Sequence, residues 1–316
     1  MEISTNLKKP AGKLLVVGGL TSSGKTKSAI NLAKKFSGVI ISCDSRQVYK
    51  HFDIGTGKLS GLKDYKKIET SGRVIYETDG VKIHGYDLCE ADEKINSFDF
   101  SVFARSQIEE TWSCGKLPIL VGGTGLYIKM ILNGAQFAAA EPGLRSTLSV
   151  MSVEQLTQIL LSENPDGYNL LNQSDRQNPT RLVRAIEKTR SKTSVTLKPL
   201  SCDLLYLYFK YPREYYEEVI EKSIQDRLDE GFMKEAVGLI SYADLPAGTA
   251  IGYKEAFLHL KGEIDWESFL NTWRKNEISY VKRQATWFKA QSNTPFDVKS
   301  ENFNLELEKT VAKWLQ

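Results

Sequence analysis

The sequence predicts an α/β fold: a parallel sheet with helices on both faces, joined to a mainly helical insertion. Three observations predict it. Apolar runs that read as buried strands recur at Leu14–Val17, Val39–Ser42 and Leu117–Val121. The first and third run directly into glycine-rich turns followed by helix-like segments, the strand–turn–helix order of a parallel sheet. From Glu141-Pro-Gly143 onward helical periodicity dominates. The 316 residues divide into a core, 1–140 with 200–316, and an insertion, 141–199.

The first turn is Gly19-Leu-Thr-Ser-Ser-Gly-Lys-Thr26, the pattern G-x-x-x-x-G-K-[ST]. It makes the sheet P-loop NTPase-like. Glycines let backbone N–H groups close around phosphate oxygens, and the N-terminus of the helix behind adds partial positive charge. Gly19, Leu20, Thr21, Ser22, Ser23, Gly24, Lys25 and Thr26 are therefore the expected diphosphate cradle. Lys25 is expected to reach the terminal phosphate and Thr26 to help hold Mg2+. The helix behind is Lys27–Lys35, with Ala29, Ile30, Leu32 and Ala33 on its apolar face.

The second strand ends at Cys43-Asp44-Ser45 and the third at Gly122-Gly-Thr-Gly125, before the helix-like Leu126–Leu132. Asp44 and Thr124 thus lie just past strand ends and are expected to share a crevice with Lys25. On the residues alone Asp44 could be an N-cap or a Walker B-type magnesium ligand, and Thr124 a helix cap. Arg73–Ile83 reads as a hairpin turning at Asp79-Gly80, a small excursion from the sheet. Helices are expected at Val153–Ser162, Thr180–Thr189, Tyr215–Ser241 and Trp266–Lys289, with a strand at Leu204–Phe209.

Net charge is only +3, but basic residues cluster. One cluster runs from Arg176 to Lys198 and includes Arg181, Arg184, Lys188, Arg190 and Lys192, opposed by Glu187. The other, Arg274, Lys275, Lys282, Arg283 and Lys289, is interleaved with Trp273, Tyr280, Trp287 and Phe288. Such clusters suit a phosphate backbone with stacked bases, or else solvated helix faces with aromatics turned inward. The four cysteines show no metal-ligand spacing and are expected to be free thiols in a reducing compartment. No stretch approaches the roughly 18 apolar residues of a membrane span. Lys8 and Lys9 precede the first strand, not a signal peptide. A cytoplasmic location is expected.

The ordered set of motifs resembles the tRNA dimethylallyltransferases. It comprises Gly19–Thr26, Ile41-Ser-Cys-Asp-Ser-Arg-Gln-Val-Tyr-Lys50, Phe52-Asp-Ile-Gly-Thr-Gly-Lys58 and Val121-Gly-Gly-Thr-Gly-Leu-Tyr127. Asn178–Glu187, Ala250-Ile-Gly-Tyr-Lys-Glu255 and Lys282-Arg-Gln-Ala-Thr-Trp-Phe288 follow in the same order. The resemblance implies transfer of a dimethylallyl group from dimethylallyl diphosphate to N6 of the adenosine 3′ of the anticodon, in tRNAs reading codons that begin with U. It implies Lys25, Thr124 and Asp44 as catalytic residues, with Asp44 the general base. It implies tRNA contacts at Asp44, Ser45, Arg46, Gln47, Thr124 and Arg145, then at Thr180, Arg181, Leu182, Val183, Arg184, Lys282, Arg283 and Gln284. The expected partners are tRNA and dimethylallyl diphosphate, with no membrane, for a monomer. The chain departs from the family pattern at Leu20 and Leu59, where proline is usual, and at Val219 and Ser223, where arginines are usual. It departs also at Glu277-Ile278, which would put an acid near an RNA surface, and in the length of 58–87. A P-loop small-molecule kinase and a non-catalytic tRNA-binding relative are the alternatives.

Overall fold

The computed structural model describes residues 12–58, 60, 62, 64–70, 72–138, 142–191 and 194–316. Lys8, Lys9, Leu59, Glu141 and Lys192 lie outside them. Ten strands run in chain order: β1 (Lys13–Gly19), β2 (Gly38–Ser42), β3 (Lys66–Thr70), β4 (Arg73–Thr78), β5 (Val81–His84), β6 (Leu117–Gly122), β7 (Ala135–Ala138), β8 (Ser194–Leu197), β9 (Asp203–Lys210) and β10 (Thr294–Asp297). The helices up to the middle of the chain are α1 (Lys25–Lys35), α2 (Ser97–Ser113), α3 (Gly125–Asn133), α4 (Pro142–Ser149), α5 (Val153–Glu163), α6 (Pro165–Asn169), α7 (Gln173–Arg176) and α8 (Pro179–Arg190). Then come α9 (Tyr216–Asp229), α10 (Phe232–Gly238), α11 (Tyr253–Leu260), α12 (Trp266–Lys289) and α13 (Phe303–Leu315).

The chain forms two compact units, Met1–Ile131 with Ser201–Gln316, and Leu132–Leu200. The larger is built on one sheet of order β10-β9-β1-β6-β2-β5-β4-β3. From β10 to β5 the neighbours are parallel; β4 and β3 are antiparallel. The central strands are apolar on both sides because helices cover both faces. Leu15 and Val17 pack with Ala29 and Leu32 of α1 and with Leu307 and Val311 of α13. On the other side Phe288 of α12 lies against Gly18 and edge-on to Tyr206.

Two expectations need correction. The hairpin turns at Asp79 and Gly80, both with positive φ (51° and 74°), as the sequence predicts. It is no excursion, however: β5 pairs in parallel with β2, Ile83 beside Ile40, both buried. Alternating Val81 and Ile83 supply one buried face, enough to extend the sheet. The expected helix Tyr215–Ser241 is broken, with α9 ending at Asp229 and α10 starting after Gly231.

The smaller unit packs α4, α5 and α8 around Leu148, Leu156, Leu160, Leu182, Val183 and Ile186, beside the antiparallel pair of β7 and β8. Glu187 is buried there and accepts from Arg145 through Nε (2.6 Å) and Nη2 (2.7 Å) and from Arg184 at 3.1 Å. The single carboxylate of that basic cluster therefore anchors Arg184 of the cluster and Arg145 of α4.

Where β2 and β6 end side by side the backbones nearly touch. A Cβ on Gly122 would lie 2.0 Å from the carbonyl oxygen of Cys43. Gly122→Ala is expected to lower unfolding free energy by about 2 kcal/mol or more, read from urea denaturation.

Candidate active site

The cavity lies at the carboxyl ends of β1, β6 and β2, within the larger unit, with a volume of about 640 Å3. Its floor is the phosphate loop. Gly19 sits at φ 149°, and a Cβ there would fall 2.2 Å from the Phe209 carbonyl oxygen, so only glycine lets the loop leave the sheet at this point. The Leu20 N–H then donates to that same oxygen at 3.0 Å. Leucine in place of the usual proline therefore adds a hydrogen bond that anchors the loop. Leu20 O in turn accepts from Ser23 Oγ at 2.7 Å and from Lys25 Nζ at 2.5 Å. Gly24 precedes α1 with φ 73° and makes no side-chain cap, which leaves the helix N-terminus facing the cavity with donors for an anion.

The second loop brings Asp44 to the cavity and the third brings Gly123, whereas Thr124, expected to share the crevice with Lys25, does not line it. Asp44 Oδ1 accepts from the Arg46 N–H at 2.8 Å, which turns the chain so that the carboxylate lines the cavity. The Thr124 hydroxyl does not cap its own helix. It accepts from the Ser45 N–H at 3.1 Å and lies 3.3 Å from Ser45 Oγ, joining the second and third loops. Gln47 also lines the cavity, its amide held between Ser42 Oγ (2.9 Å) and Thr56 O (3.2 Å).

Asp44 and Lys25 are close enough to act on each other's ionisation. Burial lowers the Lys25 ammonium to about 8, while the Asp44 charge pulls it upward. Burial raises the Asp44 carboxyl above the ordinary aspartate value, opposed by the Arg46 N–H and the Lys25 charge. Each group is thus pushed toward neutrality and held charged by the other.

The cavity's other wall is α9. Ser223 Oγ lies 2.9 Å from Ser22 Oγ, so the position where the family has arginine touches the phosphate loop with a neutral hydroxyl. Arg227 lines the same wall and pairs with Glu277 at 2.8 Å; both are nearly buried. Glu277 therefore faces inward on α12 as the partner of a cation, and not toward an RNA surface.

Other expected contacts are redistributed too. Leu182 and Val183 are core of the smaller unit, because an amphipathic α8 turns them inward; of the expected contacts Thr180–Arg184, Thr180 and Arg181 are exposed. Arg184 is half-buried on Glu187. Lys282 and Arg283 are exposed on α12, whereas Gln284 is buried: its Oε1 accepts from the Thr21 N–H at 2.8 Å and its Nε2 donates to Gly123 O at 3.1 Å. Trp273 and Phe288 are fully buried, so these aromatics of the basic helix pack inward and are not base platforms. The sequence alone missed Tyr211, whose hydroxyl donates to Thr21 O at 3.1 Å, and the bridging role of Gln284. The signal for Gln284 was present, a neutral amide inside a basic run, one helical turn before Phe288.

The IPP transferase family model matches residues 47–291, and the isopentenyl transferase model matches 12–81. The chain belongs to the IPP transferase family. The chain is 34% identical to the tRNA dimethylallyltransferase of Enterococcus faecalis, over 96% of this chain and 98% of that protein. It is 32% identical to that of Bacillus pumilus, covering 92% of each. The crystal structure of the full-length tRNA isopentenylpyrophosphate transferase from Bacillus halodurans superposes with a TM-score of 0.68 at 30% identity, covering 96% of both chains. A eukaryotic dimethylallyltransferase acting on tRNA shares the fold, with a TM-score of 0.74 at 22% identity, covering 95% of this chain and 78% of that one.

A bound polyanion will favour the charged form of Lys25. Pyrophosphate binding is expected to take up protons near pH 8 and to weaken as pH rises through that value. Calorimetry in two buffers of different ionisation enthalpy reads the uptake, which should vanish in Lys25→Met.

Proposed function

We propose that this chain transfers a dimethylallyl group from dimethylallyl diphosphate to N6 of an adenosine 3′ of the anticodon of tRNA. The observation that carries the reading is the cavity itself, in which a phosphate loop with Lys25 faces a carboxylate, Asp44. A phosphate cradle alone would fit a kinase; the match along nearly the whole chain to tRNA dimethylallyltransferases favours prenyl transfer.

The chemistry follows from the residues. An allylic diphosphate ionises when the charge building on pyrophosphate is stabilised, because the allyl cation is delocalised. The loop N–H groups, the N-terminus of α1 and Lys25 offer that stabilisation. Thr26 adds a hydroxyl at the same end of the cavity, a hard oxygen suited to Mg2+ alongside diphosphate oxygens and water. The ion supplies further charge neutralisation to the leaving group when bound. Asp44 faces the acceptor and takes the N6 proton as the C–N bond forms, since the amine becomes acidic only then. Its raised carboxyl matches a base that must give the proton up again. Thr124 and Ser45 fix the Asp44 turn, and Gln47 offers an amide to the acceptor base. Among the described residues no helix is long and apolar enough to cross a membrane.

Incubation with labelled dimethylallyl diphosphate and bulk tRNA is expected to put label in tRNA. Phosphoryl transfer from ATP without such labelling would overturn the proposal. Asp44→Asn should reduce transfer by about a hundredfold or more while sparing tRNA binding. In the unmodified chain the rate should fall as pH drops through the raised Asp44 value, above the ordinary aspartate range.

A further inference from the structure

Lys58 has no exposed surface, an expensive place for an ammonium unless every donor is used. Its Nζ donates to Tyr49 O (2.7 Å), Asp53 Oδ1 (2.5 Å) and Asp87 Oδ1 (2.6 Å). The other oxygen of Asp87 accepts from the Tyr76 hydroxyl at 2.7 Å and lies 2.9 Å from Lys67 Nζ. Burial alone would raise the Asp87 carboxyl; Lys58, Tyr76 and Lys67 outweigh it and hold it below the usual aspartate value. None of these side chains lines the reaction cavity.

What the network holds is the segment between Asp44 and Gly57, which lacks a regular strand or helix and carries the acceptor side of the cavity. The Asp87 N–H donates to Gln47 O at 3.3 Å, and the Leu88 N–H donates to Val48 O at 2.7 Å. Lys58, at the end of the segment, therefore ties its middle, at Tyr49 and Asp53, to Asp87, whose own N–H holds Gln47. A second tether works from the opposite side. The Glu235 carboxylate accepts from the N–H groups of Asp53 (3.3 Å), Ile54 (3.0 Å) and Gly55 (3.3 Å), and from the Tyr253 hydroxyl. Just ahead of these tethers, Gln47 and Asp44 are presented to the cavity with their side chains already oriented.

We propose that Lys58 is a positioning residue for the acceptor side of the reaction: its ammonium, bridging Asp53 and Asp87, sets where Asp44 and Gln47 stand without touching either substrate. The inference rests on the functional reading for its kinetic consequence, but its structural consequence is independent of that reading. The network makes no contact with the phosphate loop, so donor and acceptor effects should separate.

The test uses the full-length chain and two variants. Lys58→Met with Asp87→Leu removes both buried charges together, and Asp53→Asn removes one partly exposed partner while leaving the Lys58–Asp87 pair intact. The double variant is expected to raise KM for tRNA about tenfold or more, with a fall in kcat. Its pyrophosphate affinity should stay within about twofold of the parent. Asp53→Asn, expected to fold if the double variant does not, should show the same split at about threefold. Amide hydrogen exchange should rise across residues 44–57 and stay unchanged across 19–26. Parent kinetics for tRNA, a parallel loss of pyrophosphate affinity, or unchanged exchange in 44–57 would each overturn the positioning role. If exchange rises in 44–57 but the parent chain transfers no label, the functional reading fails and the positioning role stands.

Discussion

Two loops from two strands must be held at one fixed separation, and a single buried amide does it. Gln284 accepts from the Thr21 N–H with its oxygen and donates to Gly123 O with its nitrogen. Of the common side chains only an amide presents an acceptor and a donor side by side on one rigid plane. A lysine would leave Thr21 N–H without an acceptor, and a glutamate would set two acceptors against the carbonyl. The fit is close: a Cβ on Gly123 would lie 2.3 Å from the Gln284 nitrogen. α12 is thereby fixed across the ends of β1 and β6, and with it Glu277 and the Arg227 that it pairs. The geometry of the phosphate cradle is thus written as much on a helix near the C-terminus as on the loop that bears the motif.

The electrostatics of the cavity follow from the same packing. Lys25 and Asp44 are both desolvated, and desolvation pushes an ammonium and a carboxyl in opposite directions on the pH scale. Groups whose values burial moves toward neutral pH are suited to acid–base work there. Here the division is spatial as well. Lys25 belongs to the phosphate loop, and Asp44 to the segment that follows β2.

Much of this was legible in the sequence, for identifiable reasons. Strands buried on both faces read as unbroken apolar runs, so β1, β2 and β6 and the three loops after them could be placed, and with them Lys25, Asp44 and Thr124. The Asp79-Gly80 turn was legible because two positive φ angles in succession demand such residues. What stayed hidden depends on partners distant in the chain. Glu277 reads as a surface acid until Arg227, 50 residues away, is found against it. Leu182 and Val183 sit inside a basic motif, and their burial follows only from a helix packing on α4 and α5. The joining of β5 to β2 rests on two alternating residues, too short a pattern to separate a sheet strand from a free hairpin.

The wall formed by α9 bears on how the charge of a leaving group is met. Arg227 is paired with Glu277, and Lys299 with Glu218, both cations lying on the cavity and both already balanced. Ser223 contributes a hydroxyl to Ser22 and no charge. Lys222 of the same helix also lines the cavity, so in the proposed reaction a diphosphate would meet Lys25 and the N–H groups at the start of α1 on one side and Lys222 on the other. The loop groups are fixed before the ligand arrives, since Lys25 is braced on Leu20 O and Thr21 on Gln284. Stabilisation by donors already in place needs little reorganisation as charge develops. On the proposed reading, a neutral residue at position 223 leaves the departing pyrophosphate to the preorganised loop, with Lys222 as a cation of the opposite wall.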